Sequence, residues 1–168
     1  MEKLKRDLLG VKDDRVLSKG LTFGIETNHD MLTMIGYKRL TNLEDLINDV
    51  VFRKVDGDVI ETGVWRGGAC IFMRSLLDEL NSDKIVYVAD SFEGLPKPDD
   101  KYIHDKGDTH YDVPFLAVSL EEVMANFEKY NLSENVVFLK GWFKDTLPLL
   151  TNKFSLIRLD GDMYESTI

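Results

Sequence analysis

The chain has 168 residues, a length that suits one ordinary domain, and it is 43% hydrophobic and 30% charged. That apolar content can build a sizeable core, and no stretch reads as low complexity. A formal net charge of −9 suits solubility and argues against a nucleic-acid surface, which wants a basic stripe.

Residues 1–20 mix Lys, Asp, Glu and Leu and lack the apolar core of a signal peptide. No run approaches membrane-spanning length, so a cytoplasmic protein without membrane contact is expected. The first 39 residues are weakly patterned, though Leu4, Leu8 and Val11 can share one face of a short helix. Thr41 and Glu44 stand three apart, as in a capping box. Leu43, Leu46, Ile47, Val50 and Val51 follow at helical spacing, which predicts an amphipathic helix over 42–53.

The period then changes. Residues 58–64 (DVIETGV) are short, β-branched and followed by glycines, and read as a strand. Residues 67–80 suit a helix buried against a sheet, and 84–90 (KIVYVAD) a second strand. Ser119 and Glu122 form another capping box, ahead of a helical face of Leu120, Val123, Met124, Phe127 and Tyr130. Residues 135–141 (NVVFLKG) and 154–160 (FSLIRLD) read as the third and fourth strands. This alternation predicts an α/β fold with a parallel sheet covered on both faces. Cys70, the single cysteine, rules out a disulfide within the chain and a cysteine-based zinc site; in its apolar run it reads as a buried structural thiol.

In such sheets ligands bind at the carboxyl ends of the strands. The notable polar residues fall there. The first loop, Glu61-Thr62-Gly63-Val64-Trp65-Arg66-Gly67-Gly68, is E-x-G-x-x-x-G and not the dinucleotide G-x-G-x-x-G. It would suit an amino-acid carboxylate at the helix start, with Glu61 balancing an ammonium, or it is a plain tight turn. Asp90, followed by Ser91, can accept both hydroxyl hydrogens of a ribose, or it caps a helix. Asp160-Gly161-Asp162 offers two carboxylates for a hard cation or a general base, or is simply a turn. The long 91–118 connection reads as a lid. Its His104, Asp105, Asp108, His110 and Asp112 match no standard metal spacing and read as solvated.

Together these words resemble the macrocin O-methyltransferase family. The matching stretches are TMIG (33–36), DVIETGVWRGGACIFMR (58–74), VADSFEGLP (88–96), VSLEEVMANFEKY (118–130), GWFKDTLP (141–148) and RLDGDMYEST (158–167). The resemblance implies a Rossmann-like class I methyltransferase fold over 54–168, behind an N-terminal helical or lid segment, 1–53. It implies S-adenosylmethionine as methyl donor, Mg²⁺ as metal, and a sugar hydroxyl of a glycosylated small molecule as acceptor. It implies cofactor contacts at Glu61, Gly63, Trp65, Gly67, Asp90 and Ser91, an adenine edge near Gly141 and Trp142, and closure by Thr33 and Met34. Asp160 would hold the metal, and Asp160 or Asp162 would take the hydroxyl proton.

Family members continue into a fifth strand ending Asp-Asp and two further strands. This chain stops at Ile168, so the resemblance implies a fold truncated after the fourth strand. Such a strand would be an exposed edge, which predicts self-association. The alternative to a catalyst is a non-catalytic nucleoside-binding remnant that needs a partner chain. An NAD enzyme is disfavoured by the glycine spacing.

Overall fold

A computed structural model of the chain describes residues 1–11 and 30–168. Part of the weakly patterned leader, residues 12–29, lies outside the described residues. Four strands, β1 (Asp58–Thr62), β2 (Val86–Asp90), β3 (Val136–Lys140) and β4 (Phe154–Leu159), form one sheet in the order β3-β2-β1-β4. All three pairings are parallel. The helices are α1 (Glu2–Leu8), α2 (Gly36–Phe52), α3 (Gly68–Glu79), α4 (Leu120–Lys129) and the single turn α5 (Phe143–Thr146).

Strand alternation splits the core in two. Val59, Val86 and Val88 face a large cluster that takes Leu40 and Ile47 from α2, Phe72 and Leu77 from α3, and Val123 and Phe127 from α4. Each such side chain, fully buried, stabilises the fold by about 1.5–3 kcal/mol. Ile60, Tyr87 and Ala89 face a smaller cluster covered by Phe143, Leu147, Leu150 and Phe154. Coverage of the two faces is therefore unequal. On the thin side Ile157 and Leu159 of the outermost strand, β4, are 57% and 56% exposed.

The Thr41–Glu44 pair is not a cap. The helix starts at Gly36, one residue after Ile35, because the segment before it is anchored to α1. The Leu8 carbonyl accepts the N–H groups of Leu32 (2.8 Å) and Thr33 (3.2 Å). Lys5, 1% exposed, donates to Thr41 Oγ1 at 3.2 Å and pairs with Glu44 and Glu2. The polar residues of the supposed cap thus satisfy a buried ammonium, which is costly to bury unpaired. At Ser119 the box forms only in part: its Oγ accepts the Glu122 N–H, as an N-cap should. Among the described residues no helix is long and apolar enough to cross a membrane.

Candidate active site

The carboxyl ends of the strands border a cleft of about 450 Å³. At the end of β1, Gly63 has φ +82°, and a Cβ there would lie 2.1 Å from the Asp160 carbonyl oxygen. Only glycine lets the β1 and β4 turns approach this closely. Trp65 is also left-handed, at φ +50°, an uncommon state for a bulky residue. It is held there by its Nε1–H, which donates to Phe115 O at 2.8 Å, and by the Arg66 guanidinium over its ring. The ring thus ties the first loop to the 91–118 connection.

Asp90 ends β2 and performs two tasks. One carboxylate oxygen accepts the Val64 N–H at 2.8 Å, and the other accepts the Phe92 N–H at 2.9 Å. It therefore caps the turns after β1 and β2 while also lining the cleft. Ser91 supports the same turn by donating to Gly94 O and accepting the Glu93 N–H.

Glu61 sits beneath the cleft, 2% exposed, and does not line it. The register places it opposite Arg158, whose Nη1 pairs with Glu61 and with Asp160 Oδ2, the latter at 2.8 Å. Burial pushes the Glu61 carboxyl up to about 7, against the pull of Arg158. The Cys70 thiol donates to Glu61 Oε2 at 2.8 Å, and burial with the adjacent charge pushes it well above its ordinary range. Cys70 is a buried structural thiol, inert as a nucleophile.

Asp162, at φ +56°, is on the rim. Desolvation around its carboxyl and the Asp160 charge push it upward. Across the cleft His110 Nδ1 lies 2.9 Å from Asp108 Oδ1. Asp105 is not solvated: it is buried and accepts the N–H groups of Tyr164 (2.7 Å) and Glu165 (2.9 Å), pinning the 91–118 connection to the turn after β4.

Met34, Gly63, Trp65, Asp90, Ser91, Trp142, Asp160 and Asp162 thus line one cleft. Thr33, Glu61, Gly67 and Gly141 lie outside its wall. Thr33 is buried, and Gly67 (φ +80°) packs on Val123 of α4. Sequence reasoning missed Arg39, Phe115 and the Asp108–His110 pair as cleft residues. A fourth-residue arginine on a helix carries no motif, and only tertiary placement brings it here. Among the described residues no three His, Cys, Asp or Glu side chains converge as metal ligands. Asp160 and Asp162 give at most two carboxylates to a cation, and Arg158 already engages the first.

The model of the macrocin-O-methyltransferase (TylF) family matches residues 5–168. A demethyldecarbamoylnovobiocin O-methyltransferase from Streptomyces niveus is 51% identical over 140 residues, covering 80% of this chain and 53% of that protein. From Streptomyces olivaceus, an 8-demethyl-8-(2,3-dimethoxy-alpha-L-rhamnosyl)-tetracenomycin-C 4'-O-methyltransferase is 50% identical over 140 residues, covering 80% and 54%. The solved structure of the O-methyltransferase NovP superposes with a TM-score of 0.87 at 42% identity, covering 99% of this chain and 73% of that one. The chain spans about half the length of the curated relatives it matches.

Proposed function

The chain belongs to the macrocin-O-methyltransferase family, and on that premise we propose that it carries the cofactor half of an S-adenosylmethionine-dependent O-methyltransferase acting on a sugar hydroxyl of a glycosylated small molecule. The observation that carries this reading is the shared cleft. Gly63 and Trp65 after β1, Asp90 after β2, Trp142 after β3 and the Asp160–Asp162 turn after β4 all open into it. The relative named for 4'-O-methylation of a rhamnosyl-tetracenomycin supports the acceptor class.

When bound, S-adenosylmethionine supplies an electrophilic methyl group and leaves as S-adenosylhomocysteine, its sulfur taking the bonding electron pair. Asp90 is placed to hold the ribose, its carboxylate already oriented by two backbone N–H groups. Trp142 offers a ring for the adenine, and Met34 forms part of the wall. Gly63 and Gly67 let the chain turn beneath the methionine portion. Glu61 acts through Arg158, which orients Asp160, rather than by touching the ligand. Asp162, raised above its ordinary value by desolvation and the Asp160 charge, is the candidate base for a hydroxyl proton.

Asp160 and Asp162 alone are too few to hold Mg²⁺, and no step here is routed through it. That same shortfall favours a second reading, a cofactor-binding unit that gains further acidic ligands from another polypeptide. Titration with S-adenosylhomocysteine and NAD tests the first reading: equal or tighter NAD binding would sink it. Methyl transfer to a glycosylated acceptor, with and without chelator and for Asp162→Asn, separates the two. Transfer that requires Asp162 supports the first, chelator sensitivity showing whether a metal assists it, and binding without transfer supports the second.

A further inference from the structure

The turn after β1 is a poor cradle for an anion. Four of the six N–H groups of residues 63–68 are already given away: Gly63 to Ala89 O (2.9 Å), Val64 to Asp90 Oδ2 (2.8 Å), Gly67 to Val64 O (2.8 Å) and Gly68 to Leu32 O (2.9 Å). The Leu32 carbonyl also fills the space over Gly68, where an added Cβ would lie 2.5 Å from it. With so few amides to spare, a negatively charged group in the cleft gains from a side-chain cation.

The charged lining is mostly acidic: Asp90, Asp108, Asp160 and Asp162. His110 leans on Asp108, and Arg158 is committed to Glu61 and Asp160. Arg39 differs. It projects from the first turns of α2 into the cleft beside Met34 and Ile35, and among the described residues no carboxylate pairs with it. A cation near a helix N-terminus gains nothing from the helix dipole, so local structure gives no reason for its place. Its planar fork matches the two oxygens of a carboxylate.

We propose that Arg39 is the carboxylate-binding residue for the amino-acid portion of the methyl donor. The inference rests on the S-adenosylmethionine reading above and deepens it by assigning a side chain to the ligand's negative end. The acidic lining sets this guanidinium apart, since the other charged side chains there are Asp90, Asp108, Asp160 and Asp162, with His110 engaged by Asp108.

The test compares two ligands by calorimetric titration of the full 168-residue chain. S-adenosylhomocysteine carries the carboxylate; 5′-methylthioadenosine keeps the nucleoside and thioether without it. Arg39→Gln should weaken S-adenosylhomocysteine by about tenfold, the scale of a charge-assisted hydrogen bond, and leave methylthioadenosine within about twofold. Arg39→Lys should restore part of the loss, because the charge returns without the fork. Unchanged S-adenosylhomocysteine affinity in Arg39→Gln overturns the inference while the parent reading stands. Equal losses for both ligands overturn it too, because the effect then belongs to the cleft and not to the carboxylate. An unmodified chain that binds neither ligand removes the parent reading and the inference together.

Discussion

Arg158 on β4 stands directly across the sheet from Glu61 on β1, and its guanidinium links that buried carboxylate to Asp160 at the cleft. Two neighbouring parallel strands thus pass charge from the protein interior to the surface where a ligand would sit. The arrangement makes stability depend on pH.

Burial raises Glu61 from an ordinary 4.5 to about 7, so the folded protein holds this proton more tightly than the unfolded chain. Between those two values the folded state is stabilised by protonation, and that contribution is lost as pH rises through the window. Melting temperatures measured from about pH 4 to 8 should therefore show a falling component that Glu61→Gln removes. If both proteins give parallel curves, Glu61 is not the group responsible.

Asp90→Ala should have two separable effects. Without the carboxylate to accept the ribose hydroxyls, S-adenosylhomocysteine binding should weaken by roughly 1.5–3 kcal/mol, the scale for hydrogen bonds to a charged group. The Val64 and Phe92 N–H groups are also deprived of their acceptor, which should cost stability of about 1–3 kcal/mol. Calorimetric titration reads the first and denaturant unfolding the second. A stability loss with unchanged affinity would reduce Asp90 to a cap.

Gly63→Ala should be severely destabilising. The new Cβ would meet the Asp160 carbonyl at 2.1 Å, in a backbone conformation that alanine resists. A loss of roughly 3 kcal/mol or more is expected from overpacking plus left-handed strain. Unfolding in urea checks it; a cost below about 1 kcal/mol would mean that the β1 and β4 turns separate easily.

The thin face of the sheet should drive association. Ile157 and Leu159 stand more than half exposed on the outermost strand of the described sheet. Light scattering should detect dimers or larger species, and Ile157→Lys with Leu159→Lys should shift the population toward monomer. A wild-type monomer across the accessible concentration range would show that this face needs no cover.

Much of this architecture is readable from residue order. Runs such as VYVAD and FSLIRL are apolar enough to be strands with no competing helical period, and the glycine-rich turn after β1 fixes where the cleft opens. What escapes depends on partners distant in sequence. Thr41 and Glu44 match a capping motif but serve Lys5, which no local pattern reveals. Asp105 reads as one more solvated acid; its burial follows from two amides after β4. Glu61 reads as a ligand contact because its word places it at the strand end, whereas the β1–β4 register gives it to Arg158. Arg39 carries no signal at all until α2 is placed beside the cleft.

The carbonyl of Leu8 receives the amides of both Leu32 and Thr33. The wall that Met34 presents is therefore suspended from a helix far upstream in the gene. A recombinant form begun a few codons late, or a chimera that transplants only the sheet and its loops, would keep Asp90 and the Asp160 turn intact. It would nonetheless inherit an unmoored front wall, and with it an Arg39 whose reach into the cleft is no longer fixed.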